Sequence, residues 1–400
     1  MSQNEFPQEQ QPQSTPPQTQ PSQTEPPRAV PPQIVLPKAA PPQASQTMPP
    51  QPGVAQQQTA PPVQAVQQPA ARTVNPIVLQ FQKFYQRVRA EIAKVFIGQD
   101  ELVTGTLVAL FSGGHVLIEG VPGLGKTHFV RTLGRALGCQ FGRIQFTPDL
   151  MPSDITGSPV FDMKEQEFRF RPGPVFTQLL LADEINRSPA KTHAALLEIM
   201  QENSVTVDSV THKIAQPFFV MATQNPIESE GTYNLPEAQV DRFMFKLVIE
   251  YPNEEQEAKI LALHGKMIDA DKKVESVAPV TNPAEILKIS ALINDIFIAP
   301  QMIDYINKIV RQTRNFPRFY MGASPRAGIA LMQGSRTLAA FRGRDYVIPD
   351  DVINLALPTL RHRVMLSAEA EIEGQKADHL LSQLLRMIEV PRFTTPEANA

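Results

Sequence analysis

Cysteine is nearly absent: Cys139 is the only one in 400 residues, so no intramolecular disulfide can form and thiolate metal clusters are excluded. The seven histidines are scattered without ligand spacing, which leaves no structural metal site to expect. No block of Lys and Arg occurs, and 37 basic against 40 acidic residues leave a formal net charge of −3. That balance argues against a large nucleic-acid footprint, so no nucleic-acid partner is expected. Apolar runs of membrane-spanning length are missing, as is a charged-plus-apolar leader. No transmembrane segment is therefore expected, and the cytoplasm is the default compartment. Aromatic and charged residues are sparse over residues 1–72, of which about half are Pro or Gln. Such a segment buries too little apolar surface to offset its ordering entropy and is expected to be disordered. Its PxxP spacings, Pro49 to Pro52 among them, suit either docking as polyproline II or a semi-extended tether.

What is present begins at about residue 75, where some 320 residues of globular pattern predict two domains or one large one. Gly120-Val121-Pro122-Gly123-Leu124-Gly125-Lys126-Thr127 is a complete GxxxxGK[ST] loop. An apolar strand at 115–119 precedes it, and a helix over 126–137 follows, with Phe129, Leu133 and Leu137 on one face. Glycines allow successive N–H groups to point into one concavity, where a triphosphate replaces water. Lys126 adds charge at the β- and γ-phosphates, Thr127 offers its hydroxyl to Mg²⁺, and His128 continues the first turn. ATP and Mg²⁺ are the expected ligands.

Strands and helices alternate through this half. A helix near 77–96 precedes Ile97-Gly98-Gln99-Asp100, where Asp100 is expected to cap a second helix to Phe111. Further strands are expected at 141–146, 179–183 and 218–222. The run Leu179 to Ala182 ends in Asp183-Glu184, placing two carboxylates beside the ligand-binding edge of an open α/β sheet. Asp183 suits Mg²⁺, through water or directly, and Glu184 suits orienting and deprotonating a water. Asn225, just past the next strand, can hold that water or the γ-phosphate, although Asn before Pro226 also suits plain turn chemistry. Pro236 can start a short helix ahead of Arg242, and Ser324-Pro325-Arg326 reads as a helix entry with Ser324 as cap. Two arginines so placed downstream of a phosphate loop suit phosphate ligation.

Together these residues resemble the AAA+ ATPases, and among them the MoxR family. The phrases that carry the resemblance are EGVPGLGKT, FTPDLMPSDITG (146–157), FRPGPVF (170–176), LLLADEINRSPAKTHAALLEIMQE (179–202), ATQNPIESEGTYNLPEAQVDRFMF (222–245) and GASPRA (322–327). The resemblance implies an α/β fold: a P-loop AAA+ core with a parallel five-stranded sheet and hairpin inserts, plus an all-α lid. Its expected bounds are a disordered 1–72, a core at 73–265, a linker at 266–282, a lid at 283–392 and a flexible tail at 393–400. It further implies Lys126 and Thr127 as the Walker A pair, Asp183 and Glu184 as the Walker B pair, Asn225 as sensor 1 and Arg326 as sensor 2, reporting nucleotide state as lid rotation. Arg242 resembles the arginine finger donated to a neighbouring subunit, with Arg187 as a rival. Segments 158–171 and 205–215 resemble the two insert hairpins that line the central face of a ring, though they also suit exposed connections. The function implied is an Mg²⁺-dependent ATP hydrolase in a homo-oligomeric, hexameric ring. It would remodel or mature protein clients with a von Willebrand factor A domain partner, including metal or cofactor insertion. A nucleic-acid motor and a nucleotide-gated scaffold are the competing readings.

Overall fold

The computed structural model describes residues 76–225, 233, 235–265 and 270–391. The expectations for 1–72 and for 393–400 fall outside them, as does part of the ATQNPIESEGTYNLPEAQ stretch (226–232 and 234). In chain order the elements begin with α1 (Pro76–Ala93), α2 (Asp100–Phe111), β1 (Val116–Gly120), α3 (Lys126–Leu137), β2 (Phe141–Gln145) and α4 (Pro152–Thr156). Next come β3 (Gly157–Asp162), β4 (Glu167–Pro172), β5 (Leu179–Asp183), α5 (Ala190–Glu202), β6 (Ser204–Val207), β7 (Val210–Lys213) and β8 (Phe219–Gln224). They are followed by α6 (Glu237–Val240), β9 (Phe245–Ile249), α7 (Glu254–His264) and α8 (Ala270–Glu275), the last inside the stretch expected as a linker. The remainder comprises α9 (Pro283–Ile293), α10 (Pro300–Asn315), β10 (Phe319–Met321), α11 (Pro325–Phe341), α12 (Pro349–Leu360), β11 (Met365–Leu366), α13 (Ala368–Ile372) and α14 (Ala377–Met387).

Five strands form one parallel sheet in the order β2-β5-β8-β1-β9. Alternation along β1 assigns its side chains to two cores. Val116 and Ile118 join α1, α2 and α3 on one face, whereas Leu117 joins Leu196, Leu197 and Phe243 on the other. Because both faces are covered, β5 is buried along its whole length, which is why it reads as an unbroken apolar run. On α3 the residues Phe129, Leu133 and Leu137 are all buried, as the spacing predicts. Asp100 differs from expectation. It is the first helical residue of α2 rather than its cap, because Gly98 and Gln99 both take positive φ and the Gln99 amide donates to the Glu250 carbonyl at 2.7 Å.

The lid is helical apart from the short antiparallel β10–β11 ribbon. Its helix α11 lies against the core. Phe341 stacks on Tyr85 with ring centroids 4.5 Å apart, and the hydroxyls of Thr337 and Ser112 pair at 2.7 Å. A methyl at Gly334 would sit 3.0 Å from the Phe245 ring, so glycine lets α11 approach β9. Within the lid, the fully buried Asp351 carboxylate accepts from Arg342 at 3.0 Å, from Arg344 at 2.6 and 2.7 Å, and from the Ile348 N–H at 3.0 Å. Removing Asp351 leaves two arginines that are 40% and 20% exposed, together with an unpaired Ile348 N–H, so Asp351→Ala is expected to cost about 1–3 kcal/mol in a denaturant titration.

Candidate functional site

Gly120 closes β1, and the chain turns through Val121 to Gly125 into α3. Gly123 and Gly125 have φ of 86° and 76°, the left-handed region that side chains other than glycine adopt at a cost. Beside Gly123 a methyl would meet nothing within 4 Å, so the cradle opens outward there. Leu124 packs on the core beneath, while Pro122 is exposed. The first-turn N–H groups of α3, from Lys126, Thr127 and His128, lie at a helix end that lacks intrahelical acceptors. The Lys126 ammonium donates to the Gly120 carbonyl at 2.6 Å, folded back over the loop it would serve.

Two strands away, β5 delivers Asp183 and Glu184 to the same edge, and Asn225 follows β8, which lies between β5 and β1. The buried Thr223 hydroxyl organises them: it donates to Asp183 Oδ1 at 2.6 Å and accepts the Glu184 N–H at 2.9 Å. Glu184 sits at φ 56°, a strained left-handed turn that aims its carboxylate off the end of the strand. Glu184 Oε2 accepts from Gln145 at 2.7 Å and from Arg187 at 3.0 Å. Asp183 Oδ2 accepts from Arg143 at 2.7 Å. Thr223, Arg143 and Gln145 carry no motif of their own; the one signal is a hydroxyl ending an otherwise apolar strand. Thr127 and Asp183 form a hard-oxygen donor pair that suits Mg²⁺. Both Asp183 oxygens already hold hydrogen bonds, which suits contact through water, and the Arg143 guanidinium shows that this carboxylate faces a cation.

A recess of about 610 Å³ lies beside Phe96, lined by apolar Ile92, Phe96, Ile97 and Val103 and by charged Arg89, Lys94, Asp100 and Lys259. Phe96 links it to the loop, lying 3.6 Å from where a Gly125 methyl would be and 5.0 Å, centroid to centroid, from Phe129. Nothing in Ile97-Gly98-Gln99 beyond its turn residues announces this wall.

Arg242 and Arg326 are elsewhere. Together they line a cavity of about 210 Å³ with Gly114, His115, Asp241 and Arg363. Gly114 and His115 precede β1 and Arg242 precedes β9, so this cavity is at the opposite edge of the sheet from the phosphate loop. The five residues of β1 separate the two edges, roughly 16 Å at the usual rise. The structure thus gathers Lys126, Thr127, Asp183, Glu184 and Asn225, and separately pairs Arg242 with Arg326. His115 is built into this second edge: its Nδ1 accepts the Val220 N–H at 3.1 Å, leaving Nε2 to donate to the Met200 carbonyl at 3.2 Å. Burial holds its imidazole down at about 4.

Both expected hairpins are present, β3–β4 and β6–β7. Phe170 stacks on His212 at 4.0 Å and ties them together, while Met163 and Phe168 near the first tip are 82% and 73% exposed.

The chain matches the ATPase family associated with various cellular activities (AAA) over residues 115–245 and the AAA lid domain over 311–384. It is 46% identical to the uncharacterised protein YeaC of Bacillus subtilis, over 75% of this chain and 92% of that one. With chaperone MoxR1 of Mycobacterium tuberculosis it shares 42% identity over 77% of this chain and 82% of that protein. A crystal structure from Cytophaga hutchinsonii superposes with a TM-score of 0.73 at 39% identity, covering 79% of this chain and 97% of that one.

Lys126→Ala is expected to abolish nucleotide binding. Glu184→Gln is expected to retain binding and lose hydrolysis by roughly 10²–10⁴-fold, read by equilibrium binding beside phosphate release. A wild-type rate in Glu184→Gln would remove Glu184 as the base. His115 also predicts a pH effect. Its folded pKa is depressed, so its contribution is complete above about 6.5 and is lost as pH falls towards 4, on the order of 3 kcal/mol. Denaturant midpoints should fall across that window, and His115→Gln should flatten the slope.

Proposed function

The chain belongs to the MoxR family of AAA+ ATPases, and from that premise we propose that it hydrolyses ATP at sites shared between copies of itself, using the cycle to act on other proteins. Loop 120–128 takes the triphosphate, with Lys126 exchanging the Gly120 carbonyl for the β- and γ-phosphates. The recess beside Phe96 and Ile97 takes the base. Thr127 and Asp183 hold Mg²⁺, which when bound neutralises charge on the phosphate oxygens. Glu184 accepts a proton from water as that water's oxygen bonds to the γ-phosphorus, and the bond to the β–γ bridging oxygen breaks, leaving ADP with the electron pair. The Asn225 amide holds the attacking water in line.

The observation that carries the shared site is the depth of the sheet between Lys126 and the Arg242–Arg326 cavity. Neither arginine is on the edge where its own chain binds phosphate, which favours donation of both to a neighbour. Arg187, the rival finger, is bonded to Glu184 of its own chain, which favours Arg242. On the family resemblance the assembly is a hexameric ring in the cytoplasm, with the core at 73–265 and the lid at 283–392. There the exposed Met163 and Phe168 of the β3–β4 hairpin would face a protein client. A von Willebrand factor A domain protein is the proposed partner, with metal or cofactor insertion among the maturation steps served. Among the described residues no helix is long and apolar enough to cross a membrane.

Steady-state hydrolysis across protein concentrations, with mass measured in parallel, tests this reading. Activity per subunit should rise with assembly, and Arg242→Ala should lose about 10³-fold while still binding ATP. Concentration-independent activity that survives Arg242→Ala would mean a self-contained site.

A further inference from the structure

One largely buried ion pair lies beside both arginines. Arg363, just past the lid's α12, is 7% exposed, and every nitrogen of its guanidinium donates. It donates to the Asp241 carboxylate at 2.7 Å and to the carbonyls of Asp241 at 3.1 Å, Phe243 at 2.6 Å, Met244 at 3.0 Å and Thr359 at 2.5 Å. The segment 241–244 thus hangs on a lid side chain as well as on the core strand it enters. Asp241 is also shared: the Ser324 hydroxyl donates to its carboxylate at 2.9 and 3.2 Å. That same hydroxyl caps α11 by accepting the Arg326 N–H at 3.2 Å. Arg242 adjoins one member of this triad in sequence, Arg326 follows another by two residues, and both side chains line the cavity that Arg363 backs. Burial pulls the Arg363 guanidinium below its ordinary value; the Asp241 carboxylate opposes that pull, and the nearby Arg326 charge adds to it.

We infer that Arg363, Asp241 and Ser324 are positioning residues that lock core segment 241–244 to the first turn of α11, presenting Arg242 and Arg326 at a fixed spacing to the terminal phosphate of a nucleotide held by a second copy of this chain. This rests on the shared-site reading. Two guanidiniums on one rigid support lose less freedom when they meet a phosphate than two on independently moving domains. Their spacing is set by charge-assisted bonds around a guanidinium that is 2% exposed, its Asp241 partner being 20% exposed.

The test uses full-length chains. Asp241→Asn and Ser324→Ala each keep the shape of the contact, and Ser324→Ala guards against a variant that fails to fold. Alone, Asp241→Asn should bind ATP as wild type does and lose hydrolysis by roughly 10–10²-fold, in kcat rather than KM. Ser324→Ala should show the same pattern, more weakly. Each is then mixed with Glu184→Gln chains, which are inactive but carry intact arginines. In mixed assemblies the variant's own ATP meets a neighbour's correctly held pair, and phosphate release per variant chain should rise several-fold. Damage confined to folding or to the variant's own phosphate loop would not be rescued in this way. Arg242→Ala mixed with Glu184→Gln is the control. If the control is rescued and Asp241→Asn is not, or if both variants alone hydrolyse at the wild-type rate, the positioning role is wrong. If the control itself is not rescued, the shared-site reading falls, and this inference with it.

Discussion

A parallel sheet covered on both faces leaves its polar chemistry only two places to go, the edges where strands leave and where they enter. Leu179 to Ala182 and Phe219 to Ala222 are buried throughout, so a charge along these strands would face packed apolar side chains on either side. Polar groups accordingly appear as the strands end: Gly120, Asp183 with Glu184, and Asn225 beyond Gln224. The buried Thr223 is the exception that fits the rule, since its hydroxyl is spent on Asp183 and Glu184. At the entering edge the same constraint brings together His115, Asp241, Arg242 and Arg363. The molecule is therefore two-ended, with the length of one strand between an end that carries the GxxxxGK[ST] loop and an end that carries unlike groups.

One largely buried ion pair, Arg363 with Asp241, links that core to its lid, and its energetics suit a locator better than a fastener. Taking a guanidinium and a carboxylate out of water costs several kcal/mol per ion, and the attraction between them returns much of it only when the remaining donors are satisfied. Arg363 meets that condition through its carbonyl acceptors; inside the lid, Asp351 meets it with two arginines and a backbone N–H. An apolar contact tolerates sliding; these arrays do not, because a shift of an ångström or two would strand several donors at once. The lid is thereby held in one register on segment 241–246, with Arg361 adding a bond to the Lys246 carbonyl at 3.1 Å.

What could be read from the sequence follows the range of the interaction that decides it. The loop, the α3 face and the Asp183-Glu184 ending depend on neighbours in sequence, and the structure has them where spacing puts them. The Ser324 cap is equally local and is present. Asp100 fails as a cap because a left-handed Gln99, held by the distant Glu250 carbonyl, turns the chain before it. Arg143 and Gln145 reach the carboxylates only through the β2–β5 pairing, about forty residues apart, which no local pattern encodes. Arg242 and Arg326 line one cavity with Arg363, which bonds to Asp241 from more than a hundred residues away. Side-chain types alone suggested two phosphate-seeking arginines; which edge they occupy was not legible.

The state of the leaving edge also bears on why a shared site would be needed. Glu184 is the candidate base, and its Oε2 already accepts two hydrogen bonds, from Gln145 and Arg187. Arg143 and Arg187, the guanidiniums nearest the carboxylates, are committed to Asp183 and Glu184 respectively. Charge that develops on a transferring phosphoryl group needs cations beyond Lys126, and this edge directs its arginines at its own acids instead. On the shared-site reading, an isolated copy would bind nucleotide and turn it over slowly, because holding a triphosphate and stabilising its cleavage call on different cations. A neighbour's Arg242 and Arg326, on that same reading, supply the missing charge, so stabilisation of the phosphoryl group is set by assembly.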